Sequence, residues 1–317
     1  MIPALVLTAG LGTRLRPLSY VRAKGALPLA GEPLARRILR GLRDAGVTDA
    51  VLNLHHLPHT LTGAIGDGSD IGMRVRYSWE MPVLGSAGGP RRALPLLKQP
   101  GTADSSFLIV NGDTLTDVDI AALVVDHRSS GALVTMAVIP NTEPQKYSGI
   151  AADGRGILTG FVPGGSSVPS FHFVGVQVAE AQAFESVPAD APSEVRTLYP
   201  ALNAARPGSV RVHATTADFL DIGTPTDYLS TALAIADRDQ RASNGARATI
   251  AAGARIEQSV LWDDVVVQEG AMLKQCVVAD GVVVPADTSW HGVTLRIPDG
   301  ELAPGERVIE GMAVCPL

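Results

Sequence analysis

Over the first 235 or so residues, short apolar runs alternate with stretches whose apolar positions recur every three or four residues. Leu5–Leu7, Ala50–Leu54, Val75–Ser78 and Phe107–Val110 are β-rich and too apolar to leave one face wet, so they predict strands covered on both sides. Between them, Leu34, Ile38, Leu42 and Ala45 share one helical face, Arg36, Arg37, Arg40 and Arg43 take the other, and Gly46 supplies a stop. Gly89–Leu97 also has the length of a helix. Strand, helix, strand in repetition predicts an α/β domain on a mostly parallel sheet. Ligands of such sheets lie beyond the carboxyl ends of the strands, so the residues that follow each strand carry the chemistry.

From about residue 246 the grammar changes. Residues 250–266 (IAAGARIEQSVLWDDVV) and 267–283 (VQEGAMLKQCVVADGVV) repeat with an offset of 17 and share Gly253/Gly270, Ala254/Ala271, Gln258/Gln275, Val260/Val277, Asp263/Asp280, Val265/Val282 and Val266/Val283. A third copy starts at Val284 and has Asp287 in place of the glycine. A short repeat that cannot bury its own apolar face must stack on its neighbours, so this portion predicts a solenoid. Within a copy, Ile250 and Ile256, or Val267 and Leu273, stand six apart, a hexad that resembles the left-handed parallel β-helix. Trp290 and the irregular tail to Leu317 read as a cap on the last coil. A hairpin sheet with coincidental internal similarity is the plainer alternative.

The 317 residues allow about two domains at roughly 150 residues each. A composition 46% hydrophobic and 18% charged excludes disorder over most of the length. Twenty-six Lys and Arg stand against 32 Asp and Glu, a net charge of −6, so a groove that wraps nucleic acid by neutralising many phosphates is not expected. Two cysteines, Cys276 and Cys315, supply neither a disulfide framework nor a cysteine-rich metal site, and a reducing cytoplasm is the expected compartment. No run approaches the 18 apolar residues of a membrane span, and Met1–Gly10 lacks a basic leader and reads as a buried strand.

The first candidate for chemistry is Leu7-Thr8-Ala9-Gly10-Leu11-Gly12-Thr13-Arg14-Leu15-Arg16-Pro17-Leu18, where two glycines after a strand let backbone N–H groups approach a phosphate or base. It is no dinucleotide fingerprint, since Leu15 stands where the third glycine belongs, and no P-loop sequence occurs in the chain. The segment that follows, with Lys24 and Leu27-Pro28-Leu29-Ala30-Gly31-Glu32-Pro33-Leu34, resembles the sugar nucleotidyltransferase (NDP-sugar pyrophosphorylase) family. Three further landmarks of that family come in order. Glu80-Met81-Pro82-Val83-Leu84-Gly85-Ser86-Ala87-Gly88 resembles its E-x-x-x-L-G-T-A-G loop, Asn111-Gly112-Asp113 its N-G-D, and Phe219-Leu220-Asp221-Ile222-Gly223-Thr224-Pro225 its W-x-D-I-G-T-P.

The resemblance implies a Rossmann-like nucleotidyltransferase domain over residues 1–240 and a short left-handed β-helix with its cap over 246–317. It implies NTP and sugar-1-phosphate as substrates and Mg²⁺ as cofactor. Arg14 is then expected on the NTP phosphates, Lys24 on the α-phosphate or the sugar phosphate, and Asp113 and Asp221 on the metal. Nucleotide contacts are expected from Leu7, Ala9, Gly10, Gly12, Thr13, Glu80, Gly85, Gly88 and Gly112, and sugar contacts from Gly149, Gly175 and Glu194. Relatives also use the β-helix for subunit contacts, which implies a homo-oligomer.

Each residue also has a plainer reading. Asp113 could cap a turn, Asp221 could cap a helix starting near Pro225, Lys24 could be solvated and Glu194 could be a surface acid. His55, His56 and His59 follow a strand with no matching ligands nearby and read as loop or helix-start residues. The chain also departs from the family. Gly160-Phe161-Val162-Pro163-Gly164-Gly165 lacks the lysine of the E-K-P motif that grips the sugar phosphate, for which Lys146 is a possible substitute, and Ala23 and Gly25 flank Lys24 where proline is usual. Members that activate N-acetylmuramic acid phosphate also lack that lysine, and their pattern resembles Tyr77–Leu97. Within the family, mannose-1-phosphate guanylyltransferases match the glycine loop and short β-helix best. The alternatives are a uridylyltransferase acting on glucose-1-phosphate or an amino-sugar-1-phosphate, and a non-catalytic nucleotide-sugar-binding sensor. An acyltransferase built on the β-helix lacks a coil-loop histidine.

Overall fold

The computed structural model describes residues 2–98 and 105–317, and the chain packs as two compact units. One comprises Met1–Gly10, Ile38–His56 and Ile65–Leu220; the other comprises Leu11–Arg37, Leu57–Ala64 and Asp221–Leu317. These units interleave along the chain and therefore do not follow the linear boundary at 240–246 that the change of sequence pattern marks.

In the first unit a nine-stranded mixed sheet runs β8-β7-β9-β4-β1-β2-β3, with β6 on β9 and β10 on β6. Its strands are β1 (Ala4–Leu7), β2 (Asp49–Leu54), β3 (Arg74–Trp79), β4 (Ser106–Asn111), β6 (Val134–Pro140), β7 (Gly149–Ala152), β8 (Leu158–Val162), β9 (Phe171–Glu180) and β10 (Val210–Ala214). A separate ribbon pairs β5 (Thr114–Thr116) with β11 (Phe219–Asp221). The four strands read from apolar runs, β1 to β4, are parallel to one another. The antiparallel pairs all involve β9 or β7, in the part of the chain where no run had been read as a strand. Strand order reverses about β1, which has β2 on one side and β4 on the other, so the residues after β1 and β4 occupy a switch point of the sheet.

Leu5, Val51, Phe107, Ile109, Val134 and Tyr199 lie in one buried cluster of this unit. Each buried aliphatic or phenyl side chain contributes about 1.5–3 kcal/mol. Helix α1 (Leu34–Asp44) ends before Gly46, whose φ of 88° is open to glycine at little cost. Helix α2 (Pro58–Ile65) begins after His55 and His56 and carries His59 in its first turn, and α3 (Gly85–Leu97) starts four residues earlier than its sequence pattern predicts. A Gly-Ser-Ala-Gly-Gly-Pro run carries little helical signal; its first turn is held instead by the Ser193 carbonyl, which accepts from Ala87 N at 2.8 Å and Gly88 N at 3.2 Å. Helices α4 (Ile120–Ser130) and α5 (Val195–Ala205) complete this unit, and α6 (Pro225–Arg238) belongs to the other.

The second unit contains the solenoid. Thr249–Ile250, Val266–Val267 and Val283–Val284 stack in parallel, as do Arg255–Glu257, Met272–Lys274 and Ser289–His291, and then Val260–Leu261, Val277–Val278 and Val293–Arg296. The register pairs Ile250 with Val267 and Ile256 with Leu273, the hexad positions, and the three stacks are those of a left-handed β-helix. Val267, Leu273, Val278 and Leu295 are buried between the stacks. The third copy keeps the coil despite losing its glycine: Gly253, Gly270 and Asp287 all have positive φ, at 76°, 70° and 58°, and Asp tolerates this left-handed region better than most residues. Trp290 lies in the third coil opposite Leu273, so the cap is the tail alone. There Met312–Pro316 folds back antiparallel on Val293–Arg296, and Arg296 and Glu306 form a buried pair at 2.7 Å.

Candidate functional site

In the first unit the candidate residues Leu7, Gly10, Gly112 and Asp113 lie at or just beyond the ends of β1 and β4. Leu7 and Asn111 are register partners, and the Gly112 amide donates to the Leu7 carbonyl at 2.9 Å. A side chain on Gly112 would collide with that same carbonyl, so the turn ahead of Asp113 requires glycine. Asp113 is half-buried and accepts from Thr114 Oγ1 at 3.2 Å. Gly175 has φ 84° and faces Asn111 and Thr114. Gly10 is exposed, with open space where a side chain would stand, so its backbone is accessible. Thr8 and Ala9 are buried, and both of their amides donate to Asn53 Oδ1, at 2.5 and 3.2 Å.

Asn53 in turn donates to Glu80 Oε1 at 2.7 Å, while Glu80 Oε2 accepts from Leu84 N at 2.8 Å. Glu80 is 4% exposed, and its two oxygens thus tie the segment before α3 to the glycine turn after β1. His55 adds to this by placing Nδ1 2.9 Å from the Glu80 carbonyl, a structural use of that histidine. Gly89 is needed here, since a side chain would stand 2.7 Å from Glu80 Oε1 and 2.9 Å from Asn53 Nδ2.

At the start of α3, Gly85 has φ 76° and Glu194 lies where its side chain would be. Glu194 accepts from Ser86 Oγ, and Ser86 Oγ accepts from Val195 N at 3.0 Å. Gly88 is required for close packing, because a side chain would stand 2.9 Å from Leu84 Cβ and 3.1 Å from the Ala191 carbonyl. Gly149 packs directly against Ser170. Nearby, His172 lies between Tyr147 and Phe219, with ring centroids 4.4 Å from each. Both its nitrogens are buried without a hydrogen-bond partner, and burial lowers its pKa against the pull of Glu143, so the ring is neutral.

The second unit carries the remaining residues. Gly12, with φ 61°, opens a 3₁₀ turn at Thr13–Leu15, and its carbonyl accepts from Leu15 N at 2.9 Å and Ser19 Oγ at 2.8 Å. Thr13 and Arg14 are exposed. Lys24, half-buried, opens a second such turn at Lys24–Ala26. Arg14 and Asp221 are brought together around Gly223: a methyl group there would stand 3.0 Å from Asp221 Oδ2, 3.2 Å from Arg14 Nη1 and 3.2 Å from Asp227 Oδ2. The helix-capping duty open to Asp221 falls to its neighbours. Thr224 caps α6 by accepting from Asp227 N at 3.1 Å, and Asp227 Oδ2 accepts from Thr224 N at 3.0 Å. Among the described residues no group of three or more His, Cys, Asp or Glu forms a metal-binding cluster.

Asn53, His172 and Arg22 are the residues of interest that sequence reasoning missed. Asn53 sat inside an apolar strand run, where a lone polar residue is the available signal for a buried partner.

Comparison with known proteins places these residues in a family. Residues 3–238 match the family model described as "Nucleotidyl transferase", and residues 238–293 match "GlmU-like, C-terminal hexapeptide". A mannose-1-phosphate guanylyltransferase of Mycobacterium tuberculosis is 27% identical over 304 residues, covering 86% of this chain and 83% of its own length. An N-acetylmuramate alpha-1-phosphate uridylyltransferase of Neisseria meningitidis serogroup B is 44% identical over 121 residues, covering 38% of this chain and 50% of its own length. Among solved structures, HddC from Yersinia pseudotuberculosis shares the fold with a TM-score of 0.63 and 22% identity, over 74% of this chain and 99% of its own.

Proposed function

The chain belongs to the nucleotidyl transferase family, and on that premise we propose that it transfers a nucleotidyl group from an NTP to a sugar-1-phosphate, giving NDP-sugar and pyrophosphate. An oxygen of the sugar phosphate bonds to the α-phosphorus of the NTP while the bond from that phosphorus to the α,β-bridging oxygen breaks. The nucleophile is already ionised, so the reaction needs positioning and charge stabilisation, with no covalent intermediate or strong base.

The observation that supports this reading is that candidate residues far apart in sequence come together within each unit. The Gly10 turn and Asn111-Gly112-Asp113 adjoin at one switch point, and Arg14 and Asp221 converge on Gly223. Arg14 is assigned to the NTP phosphates and Lys24 to the α-phosphate or the incoming sugar phosphate. The backbone of Leu7, Ala9, Gly10, Gly12 and Thr13 is assigned to the nucleotide, with Glu80, Gly85, Gly88 and Gly112 shaping that region. Glu80 acts there by holding Asn53 and the Leu84 amide. Gly149, Gly175 and Glu194 are assigned to the sugar.

Asp113 and Asp221 are assigned to Mg²⁺. Their donors are carboxylate oxygens alone, which suit a hard cation that keeps part of its hydration and shares phosphate oxygens. When bound, the ion would offset the charge that accumulates on pyrophosphate.

For base and sugar, GTP and mannose-1-phosphate are the first reading, supported by the relative that matches across both parts of the chain. A uridylyltransferase acting on an amino-sugar phosphate is the second, supported by the 44% identity of the shorter match and by the absent E-K-P lysine. Residues 1–240 are taken as the catalytic portion and 246–317 as the β-helix with cap. No helix among the described residues is long and apolar enough to cross a membrane, and a cytoplasmic site of action is part of the proposal.

The test is pyrophosphate release across a panel of GTP, UTP, dTTP, ATP and CTP with mannose-, glucose- and amino-sugar-1-phosphates in Mg²⁺. Release that requires both substrates supports the reading. A silent panel accompanied by tight NDP-sugar binding favours a sensor instead.

A further inference from the structure

The segment between Arg14 and Lys24 has little regular structure of its own. It consists of 3₁₀ turns at Thr13–Leu15, Leu18–Tyr20 and Lys24–Ala26 joined by residues of mixed backbone conformation. Such turns specify a backbone weakly, so the place of a side chain within them depends on what the segment is tied to. Within the second unit it is tied to the β-helix at three points, two of them close on either side of Lys24.

Two residues before Lys24, the Arg22 guanidinium donates from Nε to Asp280 Oδ2 and from Nη2 to Asp280 Oδ1 and Asp263 Oδ2, each at 2.7 Å. Asp263 and Asp280 occupy equivalent positions of successive coils, 17 residues apart. Neither acid is loose: Asp263 Oδ1 also accepts from Ala246 N at 2.6 Å, and Asp280 Oδ1 from Asp263 N at 3.1 Å. The Arg22 carbon between the two carboxylates stands 5.5 Å over the ring of Trp262, which is fully buried. Burial alone would lower the Arg22 pKa; the hydrogen bonds and charges of Asp280 and Asp263 outweigh it and raise that pKa.

Four residues after Lys24, the Pro28 carbonyl accepts from Tyr228 Oη at 2.6 Å, and Tyr228 Oη accepts from Trp262 Nε1 at 2.8 Å. Nearer Arg14, the Tyr20 ring lies 5.0 Å from the Arg16 guanidinium and 5.2 Å from that of Arg296, at the end of the last coil strand.

We propose that the β-helix is a positioning element for the reaction: Arg22, clamped by Asp263 and Asp280, fixes the loop that presents Lys24. This rests on the functional reading above. Arg22 is a positioning residue, because its guanidinium is committed to Asp263 and Asp280 and it acts through Lys24. One guanidinium serves two carboxylates, and this gives the arrangement a distinctive response. Removing Arg22 alone leaves two acids facing each other in adjacent coils, which lowers stability as well as misplacing the loop. Replacing all three by neutral residues relieves the repulsion and leaves only the misplacement.

The experiment compares the parent with Arg22→Gln, Arg22→Lys and the triple variant Arg22→Gln/Asp263→Asn/Asp280→Asn, using Arg247→Gln as control. Arg247 forms an exposed pair with Asp264 on the same coils and is expected to leave activity unchanged. The triple variant should recover most of the melting temperature lost in Arg22→Gln. Its kcat should stay 10- to 100-fold below the parent with KM for the NTP changed less than threefold, the size of effect that follows from moving a reacting group by about an ångström. Arg22→Lys, which keeps the charge but not the fork, should fall between. Hydrogen exchange at residues 21–27 should speed up in the triple variant while residues 266–284 keep their protection. A triple variant with parental kcat, or unchanged exchange at 21–27, overturns the proposal. A parent inactive with every substrate pair overturns the functional reading instead, and the exchange result then judges the tether by itself.

Discussion

Glycines in this chain are fixed by what stands beside them. Gly112 is required by the Leu7 carbonyl and Gly89 by the hydrogen-bonded Glu80 and Asn53 side chains, while a methyl group at Gly223 would stand 3.0–3.2 Å from the side-chain ends of Asp221, Arg14 and Asp227. Sequence reading singles out the charged residues Arg14, Lys24, Asp113 and Asp221 as candidates because motif order marks them. It could not show Asn53 holding the Thr8 and Ala9 amides, since a hydrogen bond spanning 45 positions leaves no local trace. For the two acids, Asp113→Asn and Asp221→Asn are each expected to lower turnover by orders of magnitude at saturating Mg²⁺ while melting temperature and circular dichroism stay parental; near-parental turnover in either removes it from the metal assignment. A different acid governs stability. Glu180 is held down to about 2, first by its hydrogen bond from His127 at 3.1 Å, with burial opposing and Ser105 and Ser106 assisting. Its folded pKa lies below the unfolded value, so the stabilisation is complete above about pH 4.5 and fades as pH falls through about 2. The melting-temperature difference between the parent and Glu180→Gln should therefore shrink between pH 5 and pH 2, and a constant difference would refute that role.

Among the elements, the parallel strands β1, β2 and β4 were legible because a strand buried on both faces is an unbroken apolar run. Strand β3, which reads RVRYSW, has both end residues exposed and is not covered on both faces as its pattern predicts. The antiparallel strands β7 and β8 were not legible, since Gly149–Ala152 and Leu158–Val162 are short, partly exposed and mixed in composition. The start of α3 was missed because a carbonyl from residue 193 caps it, a contact made by tertiary folding alone. The coils were legible from internal repetition, which needs no knowledge of packing. Their corners explain which repeats tolerate change. At Gly270 φ is 70°, and a side chain would run into Asp287 of the next coil. Gly270→Ala should lower stability by about 1–2 kcal/mol in denaturant unfolding, from the left-handed backbone alone; an unchanged midpoint would show that the corner relaxes freely.

For the whole molecule, the sequence pattern changes once, near residue 240, while packing recognises two units that each draw on separated segments. Residues Leu11–Arg37 and α6 pack in one unit with the coils, where Arg22, Tyr228 and Trp262 supply bonds that no repeat pattern reveals. A homo-oligomer through the β-helix remains a proposal, supported by outward apolar side chains at Ile250, Met272 and Val283, each 41–47% exposed. Light scattering should report a mass above that of one chain, and a monomer at working concentration would contradict it. The proposed reaction turns on where the NTP is cut. Parallel reactions with α-³²P- and γ-³²P-labelled NTP, the accepted sugar-1-phosphate and Mg²⁺ should move the α label into NDP-sugar and the γ label into pyrophosphate in equal amounts. Transfer of the γ label to the sugar phosphate, or appearance of neither product, would contradict attack at the α-phosphorus and the function built on it.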